Sequence, residues 1–241
     1  MRTSYPRFLP AGDAGLVVEL GGEIALAVNA RVRALDRLVA AAGIAGVVET
    51  LPTNRSLFIA YEPLTLSCAE LVRRVESLLE QAGEAPGEEP GRSWVIPVAY
   101  GGGFGVDLAS VAAALGLSEE AVAARHAAGD YRVFMIGFQP GFAYLGPLDP
   151  DLLTSRHDAP RAEIPAGTVS IAGPQTVINS VAAPSGWQLI GRTPVRLFDL
   201  RRRDPFLLAP GDRVRFRAVE ASEFAALDAR AEAGETVAEL S

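Results

Sequence analysis

Apolar positions follow two different rhythms along this chain. Between residues 29 and 42 they fall at Val32, Leu35, Leu38, Val39 and Ala42, the stripe of an amphipathic helix that Gly43 and Gly46 end. Ser67 and Glu70 form a capping box ahead of a second stripe at Leu71, Val72, Val75, Leu78 and Leu79. Short apolar runs at 16–20, 47–51 and 57–61 read as strands, the last two joined by a turn at 52–54. The order β-α-β-β-α predicts a small α/β domain over residues 1–83, its helices on one face of an antiparallel or mixed sheet. Asp13, Glu19, Glu49 and Arg55 read there as solvated charges. Residues 84–92, rich in Gly, Pro and Glu, read as a linker.

From residue 93 the rhythm changes. Apolar runs at 134–136, 169–172, 187–190 and 195–198 are separated by Gly and Pro clusters, which predicts packed short strands in a barrel or sandwich. A strand at 94–99 opens this domain, and Pro97 within it suggests an edge. Gly101 to Gly105 reads as a tight turn, Asp107 as the cap of a helix to Leu115, and Ser118 as the start of another helix ending near Gly129. These two helices are expected beside the barrel. Residues 213–219 alternate, with Val214, Phe216 and Ala218 inward, as a half-buried final strand. The barrel domain is thus expected over 93–220, with a C-terminal helix fraying into a tail over 221–241. The fold class is an α+β N-terminal domain followed by a mainly β barrel domain.

Composition narrows the function classes. The net charge is −7 and the pI about 5.0, which argues against a nucleic-acid partner. The run Arg201 to Arg203 reads as a solvated turn. Cys68 is the single cysteine, which excludes an internal disulfide and a multi-thiolate metal site, and a cytoplasmic location is expected. No signal peptide is indicated, and the longest apolar run, 38–48, is too short to span a bilayer. All 22 basic residues are arginine. Without lysine there is no pyridoxal Schiff base, no biotin attachment and no Walker A lysine, so anions must be met by guanidinium or backbone N–H groups. No spacing of His, Cys or carboxylates suggests a metal.

The turns of the second domain carry Phe138, Phe142, Tyr144, Arg156, Arg161, Gln175, Trp187, Gln188 and Arg192. Arg161 and Arg192 each fit two readings, a fork for a carboxylate or phosphate and a surface arginine closing a turn. Thr193 fits a site or a turn. Gln175 and Gln188 can both donate and accept, and Gln188 must face opposite to Trp187 and Leu189, toward lumen or solvent. Phe142 and Tyr144 are candidate walls of a small apolar pocket. Phe138 and Trp187 are expected to plug the barrel instead. His126 reads as a helix C-cap, His157 as a loop residue and Glu163 as a lone carboxylate.

Taken in order, AGDAGLVVEL, RSLFIAYEPL, VAYGG, GLSEEAVAARH, GFQPGFAYLG, IPAGTVSIAG, GWQLIGRTPVRLFD and PGDRVRFR resemble the KipI family, which includes the B-type subunit of 5-oxoprolinase and allophanate hydrolase subunit 1. The resemblance covers nearly the whole chain. It implies a cyclophilin-like barrel, a KipA-type partner (the C-type subunit of the complex), a LamB/YcsF-type partner (its A-type subunit), and ATP-dependent opening of the lactam of 5-oxoproline. ATP would lie at an interface between chains or on the partner. On this resemblance Arg161, Arg192 and Gln175 are the expected catalytic residues, and Tyr144, Phe142, Gln188 and Thr193 the expected substrate contacts. The family also implies two alternatives: a regulatory inhibitor of a sensor histidine kinase, and a carboxyltransferase or allophanate hydrolase component of urea or small-amide metabolism. Gly103, Val106, Val177, Asn179, Ser180 and Ser185 depart from the family pattern, four of them beside Gln175 and Trp187.

Overall fold

The computed structural model describes residues 4–82 and 91–241, and the chain divides into two compact units, Met1–Glu89 and Pro90–Ser241. The expected linker falls, apart from Gly91 and Arg92, outside the described residues.

The first unit runs β1 (Arg7–Pro10), β2 (Gly15–Glu19), α1 (Leu26–Ala42), β3 (Val47–Pro52), β4 (Ser56–Tyr61) and α2 (Cys68–Ala82). The sheet is antiparallel in the order β1-β2-β4-β3. Leu16, Val18, Leu57 and Ile59 alternate inward and meet Leu35, Val39, Leu71 and Val75 of the helices. Gly43 ends α1 in the left-handed conformation (φ 55°), where a side chain would be strained. The Ser67 hydroxyl accepts the Glu70 N–H at 3.2 Å, as the capping box predicts. Strand β1 goes beyond the predicted order. Four residues closed by Pro10 carry too little alternation to read, and only an edge position tolerates that proline.

The second unit runs β5 (Ser93–Tyr100), α3 (Leu108–Leu115), α4 (Glu119–Ala128), β6 (Tyr131–Ile136), β7 (Ala143–Gly146), β8 (Arg161–Ile164), β9 (Thr168–Ala172), β10 (Gln175–Ile178), β11 (Ala183–Ser185), β12 (Gln188–Arg192), β13 (Arg213–Ala218), α5 (Ala221–Glu232) and β14 (Glu239–Leu240). Among the described residues, β12-β9-β10-β7-β6-β13-β5 form one ladder, and a β12–β5 pairing closes it into the expected barrel. Strands β8 and β11 pair as a separate ribbon. Ile96, Val98, Val133, Leu145, Val169, Ile171, Ile178, Ile190 and Val214 fill the interior, and the apolar faces of α3 and α4 join the same core through Leu108, Val111 and Val122. Each fully buried aliphatic side chain contributes about 1.5–3 kcal/mol.

Four expectations change here. Strand β5 is not an edge: β13 pairs along one side, while on the other β14 covers Trp94 and Val95 and β12 covers Ala99 and Tyr100. Pro97 falls in the gap between those two partners, where no ladder donor is missed. The run 195–198 is not a strand but a coil with an isolated bridge at Phe198, although Val195 and Leu197 are buried as their character demands. Ala218 is exposed rather than inward, and β13 is not the last strand. The C-terminus does not fray, because Val237 and Ala238 are buried and β14 pairs with β5. Arg201 lies in an exposed turn, as expected, and its side chain is also engaged. It holds Asp199 and donates to the carbonyls of Ala231 and Glu232 at the end of α5.

Candidate functional site

Alternation along the barrel wall builds an aromatic patch on its outside. On β7, Ala143 and Leu145 face the interior, so Phe142 and Tyr144 face out; on β10, Ile178 faces in and Val177 out. Phe142, Ala172, Val177 and Trp187, with Tyr144 packed on them, form a second apolar cluster there. Ring centroids step from Phe138 to Phe142 at 5.5 Å, to Tyr144 at 4.8 Å and to Trp187 at 6.2 Å. These rings, with Arg156 and Ser185, line a cavity of about 160 Å³. Burial pushes the Tyr144 phenol up, against the pull of Arg156, so it stays protonated and able to donate. The expected barrel plugs are therefore elsewhere. Trp187 packs on the outer wall, and Phe138 is 68% exposed at the cavity mouth with φ 68°.

Beside this cavity lies a carboxylate hub. Asp107 stands at the N-cap of α3 as expected, yet its side chain does not cap the helix. Arg161 Nη2 and Nη1 donate to its two oxygens at 2.6 and 3.0 Å, Leu189 N–H donates at 2.8 Å, and His157 Nε2 lies at 3.3 Å. Asp107 N–H returns a bond to Leu189 O at 2.9 Å, so the two residues lock reciprocally. Burial alone would push the Asp107 carboxyl up. The Arg161 guanidinium, the Leu189 N–H and His157 outweigh it and hold it below the usual carboxylate range. Gly105 just upstream lies so close to β12 that a Cβ would sit 2.1 Å from Ile190 carbonyl atoms, which fixes the approach of this loop. His157 also lines a cleft of about 570 Å³ with Ser110, Val111, Leu153, Arg156 and Gln188.

The structure places the expected site residues in three groups. Phe142 and Tyr144 share the aromatic cavity. Gln188 lines the neighbouring cleft, half-exposed, and its Nε2 donates to Ser155 O at 2.9 Å; Arg161 is close by on Asp107. Gln175, Arg192 and Thr193 line neither cavity. Gln175 is buried opposite Ala172. Arg192 Nε donates to Ala166 O at 3.0 Å with its guanidinium 5.8 Å from the Phe224 ring. Buried Thr193 accepts from Val195 N–H. One shared hollow for Arg161, Gln175 and Arg192 is thus not formed by either cavity, because each side chain is engaged with its own part of the fold. Asp107 and His157 carry no distinctive signal in the sequence: a residue before a helix reads as its cap, and a loop histidine as a loop histidine.

His126 is not a C-cap. Its ring is wholly buried, stacked 4.7 Å from Phe216. Thr176 Oγ1 donates to Ser170 O, so it accepts from His126 Nε2–H at 2.8 Å, and Nδ1 then accepts from Tyr100 O–H at 2.8 Å. Burial lowers its pKa to about 3 and keeps it neutral.

A family model described as carboxyltransferase domain, subdomain C and D, matches residues 6–208. The chain belongs to this family. This carboxyltransferase subdomain C and D chain is 44% identical over 208 residues to the B subunit of 5-oxoprolinase from Escherichia coli O157:H7, covering 85% of this chain and 92% of that relative. Relatives from Bacillus subtilis and Haemophilus influenzae carry the same name. The crystal structure of TTHA0988 superposes with a TM-score of 0.75 at 38% identity over 86% of this chain, which spans 40% of that one. The Kluyveromyces lactis urea amidolyase structure shares the fold, with a TM-score of 0.81 at 21% identity over 97% of this chain and 16% of that chain.

Proposed function

We propose that this chain is the B-type subunit of a heteromeric, ATP-dependent 5-oxoprolinase, inactive alone and completed by a KipA-type partner and a LamB/YcsF-type partner. The observation that carries the reading is likeness to relatives of that name along most of their length, joined to an outer cavity of fitting size. At about 160 Å³ it has room for one small ring, well below the roughly 300–1,000 Å³ of drug-sized sites. The chemistry needs a partner. A lactam carbonyl is a poor electrophile; transfer of a phosphoryl group to its oxygen, with loss of ADP and of the ring N–H proton, makes the carbon open to water. In this reading Phe142 and Tyr144 wall the ring, and the Tyr144 phenol is positioned as a hydrogen-bond donor to it. Arg161 acts through Asp107, holding the loop that borders the cavity, rather than on substrate. ATP binds at an interface between chains or on the partner.

Co-expression with the two partner proteins, followed by assay of 5-oxoproline-dependent ADP and glutamate release, tests this. Turnover by the three-protein complex and none by the chain alone is expected. A folded three-protein complex that releases no ADP on addition of 5-oxoproline overturns it.

A further inference from the structure

Among the described residues, Arg156 is the one charged side chain on the wall of the aromatic cavity. Its guanidinium carbon lies 5.0 Å from the Trp187 ring centroid. Among the described residues it has neither an ion-pair partner nor a hydrogen bond, and it is exposed. That sets it apart from Arg161, on Asp107, from Arg192, on Ala166 O, and from Arg92, on Asp212. The backbone that carries it is nonetheless held on both sides. Gln188 donates to Ser155 O, His157 N–H donates to Gly186 O at 2.7 Å, and the His157 ring rests on Asp107. The result is a guanidinium with free donors on a fixed segment, stacked on one wall of a slot that is walled by aromatic rings and has a polar side.

Such a group selects its ligand. A guanidinium forks onto a carboxylate through two parallel N–H bonds, and stacking on an aromatic ring leaves those edge donors available. An aromatic cage can also take a cation, but here a ligand cation would sit against Arg156, and among the described residues no carboxylate lines the cavity to offset the repulsion. The cavity is too small for a nucleotide. At its mouth Phe138 holds a left-handed backbone (φ 68°), which bulky residues rarely adopt, while remaining mostly exposed and edge-on to Phe142. Strain of this kind, unsupported by burial of the ring, is found at ligand clamps.

We propose that this cavity binds a small ring-shaped carboxylate, that Arg156 grips the carboxylate, and that Phe138 covers the ring. The ring's identity as 5-oxoproline rests on the function proposed above; the ligand class rests on the cavity itself.

The test is calorimetric titration of the full chain with 5-oxoproline, with 2-pyrrolidinone (the same lactam without the carboxylate) and with proline (the ring with a cationic nitrogen). 5-Oxoproline is expected to bind at least about 10-fold tighter than either of the others. Arg156→Ala should lose about 10- to 100-fold for 5-oxoproline and nothing for 2-pyrrolidinone, erasing the preference, while Arg156→Lys restores part of it. Phe138→Ala should weaken both lactams alike. An Arg156→Ala chain that keeps the carboxylate preference overturns the proposal. Should the isolated chain bind no ring, the KM of the three-protein complex is decisive: a rise of at least about 10-fold in Arg156→Ala supports the site, and an unchanged value sinks it. Turnover of 5-oxoproline with no Arg156 effect removes the site and leaves the function. Arg156-dependent binding of ring carboxylates by a chain whose complex never turns over 5-oxoproline removes the function and leaves the site.

Discussion

Arg161 meets Asp107 through both terminal nitrogens, and the carboxylate it holds is the same one that Leu189 N–H and His157 reach. Removing the guanidinium strands a mostly buried charge. Arg161 is itself about a third exposed, so solvent screens part of the attraction and the full cost of breaking a buried pair does not apply. Arg161→Ala should lower the unfolding free energy by about 1.5–3 kcal/mol, read by urea titration at pH 7, and Arg161→Lys should recover only part because it cannot fork. The folded Asp107 carboxyl lies below its unfolded value, so its contribution is present above the ordinary carboxylate range and fades as pH falls through it. A wild-type value for Arg161→Ala would show that Leu189 and His157 suffice to hold Asp107.

His126 gives the chain a mild-acid weakness. Its folded pKa of about 3 lies below an unfolded value near 6.5, so between those limits the unfolded chain binds a proton that the folded chain refuses. Stability should therefore fall as pH drops from about 6.5 to 4.5, by up to about 1.4 kcal/mol per pH unit from this group alone. Urea titrations at several pH values should show that slope in wild type and a flatter one in His126→Gln, whatever its absolute stability. Equal slopes would mean that the ring protonates without unfolding.

What is legible in the sequence is what local pattern decides. The stripes of α1 and α2, the Ser67 cap and the short strands of the barrel each follow from spacing alone. Phe142 and Tyr144 can be chosen as pocket walls, because aromatics two apart on a strand share a face. Which face cannot be read, since Ala143 and Leu145 are as apolar as their neighbours; the same ambiguity directs Phe138 and Trp187 to the interior when both lie outside it. The hub is illegible for another reason. Asp107, His157, Arg161 and Leu189 lie on four segments, and Asp107 is far in sequence from the other three; only barrel closure brings them together. Arg161 and Arg156 are alike as residues; what separates them is that one has a carboxylate waiting and the other has not.

Asp212 anchors the start of β5. It is 3% exposed, and its oxygens accept from Arg92 N–H, Arg92 Nη2, Trp94 Nε1 and Ala209 N–H at 2.8 to 3.1 Å. Asp212→Ala leaves two backbone donors and an indole N–H without an acceptor, which should cost about 3 kcal/mol or more. Asp212→Asn keeps the shape but presents an amide NH₂ where donors already converge, so it should recover little. The indole reports the break directly: Trp94 emission should shift to the red in either variant while the chain remains folded. Unchanged emission and stability in Asp212→Ala would mean that the pairing of β5 with β13 alone fixes this corner.

The last residues of the chain close an edge. Val237 and Ala238 are buried, and β14 pairs with β5 across Trp94 and Val95, with Ser241 N–H donating to Ser93 O at 3.0 Å. Unpaired, that part of β5 would offer a strand edge to other chains. Deleting residues 236–241 should cost about 2–3 kcal/mol, chiefly the burial of Val237 and the lost strand pairing. Hydrogen exchange should rise at 93–95 but not at 99–100, because β12 still covers Ala99 and Tyr100. Val237→Asp in the full chain should reproduce most of the loss, since it places an unpaired charge where the apolar side chain was. If the truncated chain melts at the wild-type temperature with 93–95 still protected, the segment rests on the barrel without supporting it, and the composition that reads as a frayed tail would describe its energetics after all.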